Sequence, residues 1–196
     1  ITISTIKKLL KILAICTLAH WQISTWSYAA TFTVTSTADA GLGTLRAAID
    51  STNANAGADT IDFNIPGPAP HTISLTSDSL PPITDTLIID GTTQPPNGFS
   101  GVSPKIIIDG SGVTGDGLVI QAPNCEIYGL YIHNFSRHGI FVDGNTFAED
   151  SIGDNFIIGA PGKGNVISGN SDGIRTDGDA DNGIIQSNKI GTDTTG

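Results

Sequence analysis

The sequence contains no methionine, not even at position 1, and reads as a segment of a longer chain. Cysteine is nearly as scarce, with two residues, Cys16 and Cys125. Only Cys125 falls after the leader described below, so no intrachain disulfide can form and stability must come from packing and hydrogen bonding. Aromatic residues make up 6% of the chain, which leaves the core to aliphatic side chains. Nine basic residues face 19 acidic ones. No apolar run reaches the roughly 20 residues that a spanning helix needs.

What is present begins with a leader-like segment. Lys7, Lys8 and Lys11 form a positive region, and Ile12 to Ala19 form a short apolar core. Ser27-Tyr28-Ala29 then places small residues where a signal peptidase reads. His20, Trp21 and Gln22 interrupt the apolar stretch too early for a membrane anchor. Cys16 follows Ile15 rather than a small residue, which argues against a lipid-attachment box. The expectation is a signal peptide over residues 1–29, an extracellular or cell-surface protein, and no membrane span in the mature chain. Beyond Ala29 six basic residues stand against 19 acidic ones, a net charge of −13. Such a surface repels phosphate backbones and anionic lipid, which excludes nucleic acid as the expected partner.

Hydrophobic patterning after the leader is strand-like. Phe32 and Val34 alternate with threonine, as do Ile61, Phe63 and Ile65 with polar residues, and short β-branched runs follow. These include Leu87-Ile88-Ile89, Ile106-Ile107-Ile108, Leu118-Val119-Ile120, Ile157-Ile158, Val166-Ile167 and Ile184-Ile185, punctuated by Gly, Asn and Asp. One segment differs. Leu45, Ala48, Ile49 and Thr52 share a helical face, and Asn55-Ala56-Gly57 ends it, predicting one amphipathic helix whose spacing permits a modest exposed ion pair between Arg46 and Asp50.

Internal repetition points to the architecture. Leu87-Ile88-Ile89-Asp90-Gly91 recurs 19 residues on as Ile106-Ile107-Ile108-Asp109-Gly110, and Asn155-Phe156-Ile157-Ile158 recurs 27 residues on as Asn182-Gly183-Ile184-Ile185. Asn124-Cys125-Glu126-Ile127 fits the same frame, and Gly139-Ile140 matches Gly173-Ile174. Periods of about 20 to 50 residues signal stacked repeats. The expected fold is all-β, a right-handed parallel β-helix (solenoid) with a short N-terminal capping helix over the first coil. Residues 30–80 would form the cap and first strands, and 81–196 the coils. Corner asparagines Asn124, Asn155 and Asn182 would stack in amide ladders. A β-sandwich would need longer alternation and hairpin turns.

Phe32-Thr33-Val34-Thr35, Gly43-Thr44-Leu45-Arg46-Ala47-Ala48-Ile49 and Gly57-Ala58-Asp59-Thr60-Ile61-Asp62-Phe63 together resemble the N-terminal module of bacterial secreted β-helix proteins that carry Cys-Ser-Leu-Arg-Glu-Ala at the helix. Gly43, Thr44 and Ala47 replace the Cys, Ser and Glu of that motif. Ile88 to Pro95, Gly164 to Asn170 and Ile190 to Asp193 resemble the coil motifs of the same proteins. The resemblance implies the β-helix and an exported surface protein, and assigns no activity.

Several motifs invite chemistry. Gly110-Ser111-Gly112-Val113-Thr114-Gly115 has dinucleotide-loop spacing, but a strand-like Leu118-Val119-Ile120 follows where a helix is required. A coil corner is expected there. Asp177, Asp179 and Asp181 alternate in the densest carboxylate run and are the candidate Ca²⁺ ligands, although the run lacks the sixth-position Gly and Asn188 stands where an EF-hand places Glu. Glu149-Asp150 with Asp154 is a weaker cluster. Arg137, His138, Arg175 and Asp177 are the candidates for acid–base catalysis on a lateral face. His71 and His133 lack partners at metal-ligand spacing. Tyr128, Tyr131, Phe135 and Phe141 cluster in one coil, at least half of them expected in the core and the rest available to stack on sugar. The expected function is a secreted or cell-surface scaffold, a non-catalytic module for glycan, cation or surface-protein binding. The alternatives are a polysaccharide-processing enzyme and an inert spacer.

Overall fold

The computed structural model describes residues 28–96, 104–144 and 153–192. The leader up to residue 27, together with Glu149 and Asp150, lies outside the described residues. Among the described residues the fold is all-β apart from one α-helix and a short 3-10 turn, and every strand pairing is parallel. The strands are β1 (Thr31–Val34), β2 (Asp59–Phe63), β3 (His71–Ser74), β4 (Leu87–Asp90), β5 (Ile106–Asp109), β6 (Leu118–Ile120) and β7 (Glu126–Tyr128). They continue with β8 (Leu130–His133), β9 (His138–Gly144), β10 (Ile157–Ile158), β11 (Val166–Ser168), β12 (Asp172–Gly178), β13 (Ile184–Ile185) and β14 (Lys189–Ile190).

Three sheets share them. Sheet A has the order β1-β2-β4-β7-β10-β13, sheet B β14-β11-β8-β5-β3, and sheet C β12-β9-β6. The chain therefore visits A, B and C in fixed rotation, as β4-β5-β6, then β7-β8-β9, then β10-β11-β12. In the preceding circuit Ile83 supplies the sheet C position, bridging in parallel to Ile120.

Register explains why these residues form these strands. In sheet A, Phe32, Ile61, Ile89, Ile127, Ile158 and Ile185 are successive Cα partners. In sheet B the column is Ile73, Ile108, Ile132, Ile167 and Ile190. In sheet C, Leu118, Ile140 and Ile174 align. From Ile61 to Ile167 the residues of the A and B columns are at most 1% exposed and form one core with Leu118 and Ile140. Side chains alternate across each strand, so a one-residue slip would turn a whole column outward.

The 27-residue offset from Asn155 to Asn182 is a true circuit, because β10 pairs with β13. The 19-residue offset is not. Leu87–Asp90 lies in sheet A and Ile106–Asp109 in sheet B, so that likeness is between two sides of one circuit. The corner asparagines need a second correction. Asn124, Asn155 and Asn182 hold φ of 53° to 56° and are exposed, serving as left-handed corners. Amide bonds between circuits come instead from Asn165 and Asn188. The Asn165 amide donates to Ile127 O and to Asn188 Oδ1 while its oxygen accepts from Leu130 N, and Asn188 donates to Ile158 O.

The helix α1 (Leu45–Ala54) buries Leu45, Ala48, Ile49 and Thr52, the face read from the sequence, and these side chains line or join the core. Thr44 caps it by accepting from Ala47 N. Arg46 does not pair with Asp50. Its guanidinium meets Asp39 Oδ1 at 2.6 Å and donates to the carbonyls of Ser79 and Asp78. The other Asp39 oxygen accepts from the backbone and hydroxyls of Thr76 and Ser77. This clasp ties α1 and the loop before it to the segment after β3.

Two predictions follow from the packing. Ile132→Ala removes a fully buried column member and lowers unfolding free energy by about 2–5 kcal/mol, whereas the outward Ile107→Ala costs on the order of 1 kcal/mol or less; urea titration separates them. For Asp39, burial opposes ionisation, but hydrogen bonds from Ser77, Arg46 and the Thr76 and Ser77 amides outweigh it and hold the carboxyl well below its usual range. Its contribution is therefore fully present above the ordinary carboxylate pKa and lost as pH falls from about 5 towards the depressed folded value. Asp39→Asn flattens that acid limb in thermal melts taken as a function of pH and destabilises the neutral-pH protein by about 1–3 kcal/mol.

Candidate functional site

Strand β9 pairs with β6 on one side and β12 on the other, and this register gathers the candidate chemistry on sheet C. Asp172 is the Cα partner of His138. Leu118 pairs with Ile140, which sets Asp116 at the matching position one circuit earlier. The result is an Asp116–His138–Asp172 stack. His138 Nδ1 lies 2.6 Å from Asp116 Oδ1, and its Nε2 lies 3.2 Å from Asp172 Oδ2. The His138 amide also donates to Asp116 Oδ1, and Arg137 meets Asp116 Oδ2 at 3.1 Å. The imidazole is 8% exposed, while Asp172 is 54% exposed.

The side chains that alternate outward from sheet C form a separate face beside this stack. Val119, Phe141 and Arg175 form one column, and Asp143 and Asp177 are register partners beside it, with Gln121 donating to Asp143. The Phe141 ring lies 5.3 Å from the His138 ring, tilted by 31°. Arg175 and Asp177, named from the sequence, lie on this outward face with Arg137 beside it, whereas His138 keeps the inward register of Ile140 and is buried at its edge. Asp116 and Asp172 were not anticipated. A signal for them exists: Asp116-Gly117-Leu118, His138-Gly139-Ile140 and Asp172-Gly173-Ile174 repeat a polar–Gly–aliphatic triplet.

The remaining candidates are dispersed. Asp177 bonds Arg175 at 3.1 Å, and Asp181 N donates to Asp154. Asp177, Asp179 and Asp181 are not brought together as a ligand set, and among the described residues no three His, Cys, Asp or Glu side chains are grouped to hold a metal ion. The glycine-rich loop is a corner leading into β6. A Cβ at Gly110 would fall 2.4 Å from the Phe135 ring, so that glycine serves packing between circuits. His71 contacts the Gln94 amide at 3.2 Å. His133 lies under Tyr131, with ring centroids 4.6 Å apart, near Asp109. Asn134 donates to that same Asp109. Of the four clustered aromatics, Tyr128 and Phe135 are buried while Tyr131 and Phe141 are only partly so. Burial, reinforced by a hydrogen bond to Glu126, raises the Tyr128 hydroxyl to about 12. Burial likewise pushes the Cys125 thiol up to about 12, which makes it an inert core group.

An open cleft of about 470 Å³ adjoins this face, lined by Leu80, Pro82, Asp116, Val119 and Arg137 among others. Among the described residues no helix is long and apolar enough to cross a membrane. No family model, curated protein or solved structure matches the chain.

Chemically, the His138 imidazole has both nitrogens engaged by carboxylates and little access to solute, so it ties three circuits together. His138→Ala removes the group between Asp116 and Asp172, and because Asp116 keeps Arg137 and Asp172 is half exposed, the expected cost is about 1–3 kcal/mol. Asp172→Ala, at the exposed end, should cost about 1 kcal/mol or less. Chemical denaturation of both variants measures this, and equal losses would contradict the stack.

Proposed function

We propose that this chain is a right-handed parallel β-helix of the exported surface type that its N-terminal module resembles, acting as a non-catalytic scaffold that binds extracellular glycan on a lateral face. The fixed A–B–C rotation of parallel strands supports the solenoid. One observation carries the non-catalytic reading. His138, the side chain best suited to proton transfer, is 8% exposed and has a carboxylate at each nitrogen. Phe141, Arg175 and Arg137 on the same face offer an apolar platform and hydrogen-bond donors of the kind that recognition uses. Secretion through the residue 1–29 leader completes the reading.

A second reading rests on Asp172. It is half exposed and backed by His138 Nε2, an arrangement suited to a base in a polysaccharide-cleaving enzyme.

Polysaccharide panels incubated with the purified protein, with and without Ca²⁺, separate the two when both retention and released ends are measured. Retention without new reducing or unsaturated ends is the expected result. Products that disappear in Asp172→Asn would replace the scaffold with the enzyme. Retention that requires Ca²⁺ and is lost in Asp179→Asn would locate recognition at the acidic corner.

A further inference from the structure

Resting on the glycan-binding reading, we propose that the ligand is a neutral polysaccharide lying along the stack on sheet C, over Val119, Phe141 and Arg175, with one end in the cleft beside Arg137.

The class of ligand follows from charge. Asp143, Asp177 and the half-exposed Asp172, with Asp116 at the cleft, stand against two arginines on this surface, His138 being buried. Each arginine is already paired, Arg137 with Asp116 and Arg175 with Asp177, both at 3.1 Å. A uronate or sulfate group would meet a face of excess negative charge on a strongly acidic chain, and is repelled. Hydroxyl groups meet the opposite situation. Arginine–carboxylate pairs hold donors and acceptors side by side in fixed directions, which suits groups that both donate and accept. Arg137 and Arg175 are 59% and 49% exposed, so their guanidinium edges remain reachable while paired.

The position follows from geometry. Val119, Phe141 and Arg175 lie on adjacent strands of one sheet, about 4.8 Å apart. They form a row along the stack with an aromatic ring at its middle. At one end of the row, Val119 and Arg137 line the open cleft together with Leu80 and Pro82. Sheet B offers a poorer platform. Its outward ring, Tyr131, is stacked against His133 at 4.6 Å, and its hydroxyl is bonded by Ser168.

Isothermal titration with cellohexaose, mannohexaose, xylohexaose and hexagalacturonate tests both parts. At least one neutral hexasaccharide should bind, at least tenfold more tightly than hexagalacturonate. Phe141→Ala should weaken it tenfold or more and Arg175→Gln threefold or more, with far-UV circular dichroism and melting midpoint used to confirm folding. Phe141→Tyr should retain binding, which separates loss of the platform from loss of the fold. Tighter binding of hexagalacturonate would overturn the neutral assignment while leaving the glycan-binding reading intact. Neutral binding that survives Phe141→Ala but fails in Tyr131→Ala would move the site to sheet B. No binding to any of the four would overturn the inference, and the broader panel above would then decide whether glycan recognition falls with it.

Discussion

An aliphatic side chain must return to the same inward position each time the chain comes round to a sheet, and the rest of the structure depends on that return. Parallel pairing supplies the backbone hydrogen bonds, but it does not choose a register. The register is chosen by burial of columns such as Ile61, Ile89, Ile127 and Ile158, each fully buried. Each large aliphatic side chain taken from water contributes about 1.5–3 kcal/mol, and a slip would forfeit a column at once. This is how a chain with no disulfide among its described residues and few aromatics holds a defined shape.

Polar groups are then placed where the columns leave room. Asn165 and Asn188 join the turns between sheets A and B of successive circuits. The Asp39–Arg46 clasp fastens the helix to the segment after β3. The Asp116–His138–Asp172 stack does comparable work on sheet C, and it leaves a row of outward side chains held on a rigid support. Rigidity of that kind favours recognition, because little conformational freedom is lost when a ligand arrives. The same short spacing between strands that builds the core also sets the spacing of the exposed row.

Much of the fold was legible because its signals are local. The buried helix face and the corner asparagines can each be read within a few residues, and the Asn155-to-Asn182 offset from one short motif repeated 27 residues on. The site was only half legible. Arg137 and His138 are adjacent, and Arg175 lies two residues from Asp177, but Asp116 and Asp172 are separated from His138 by 22 and 34 residues. Circuit length varies, 38 residues from Ile89 to Ile127 against 27 from Ile158 to Ile185, so no constant period aligns them. The Arg46–Asp50 expectation failed for a related reason. Helical spacing permits that pair, but the part-buried guanidinium finds more partners elsewhere, and those come from the loop before the helix and the segment after β3.

The in-register return of the chain is tested most directly by cysteine trapping. Thr72 and Ile107 are outward Cα partners on adjacent strands of sheet B, 35 residues apart in sequence. Parallel neighbours about 4.8 Å apart fall within the Cα range of a disulfide. Thr72→Cys with Ile107→Cys should close an intrachain disulfide under mild oxidation, seen as a two-dalton mass loss and a linked peptide, with Cys125 still free. Failure of that pair, with ready closure of Thr72→Cys to a cysteine at position 109, would place the chain in a different register and contradict the account.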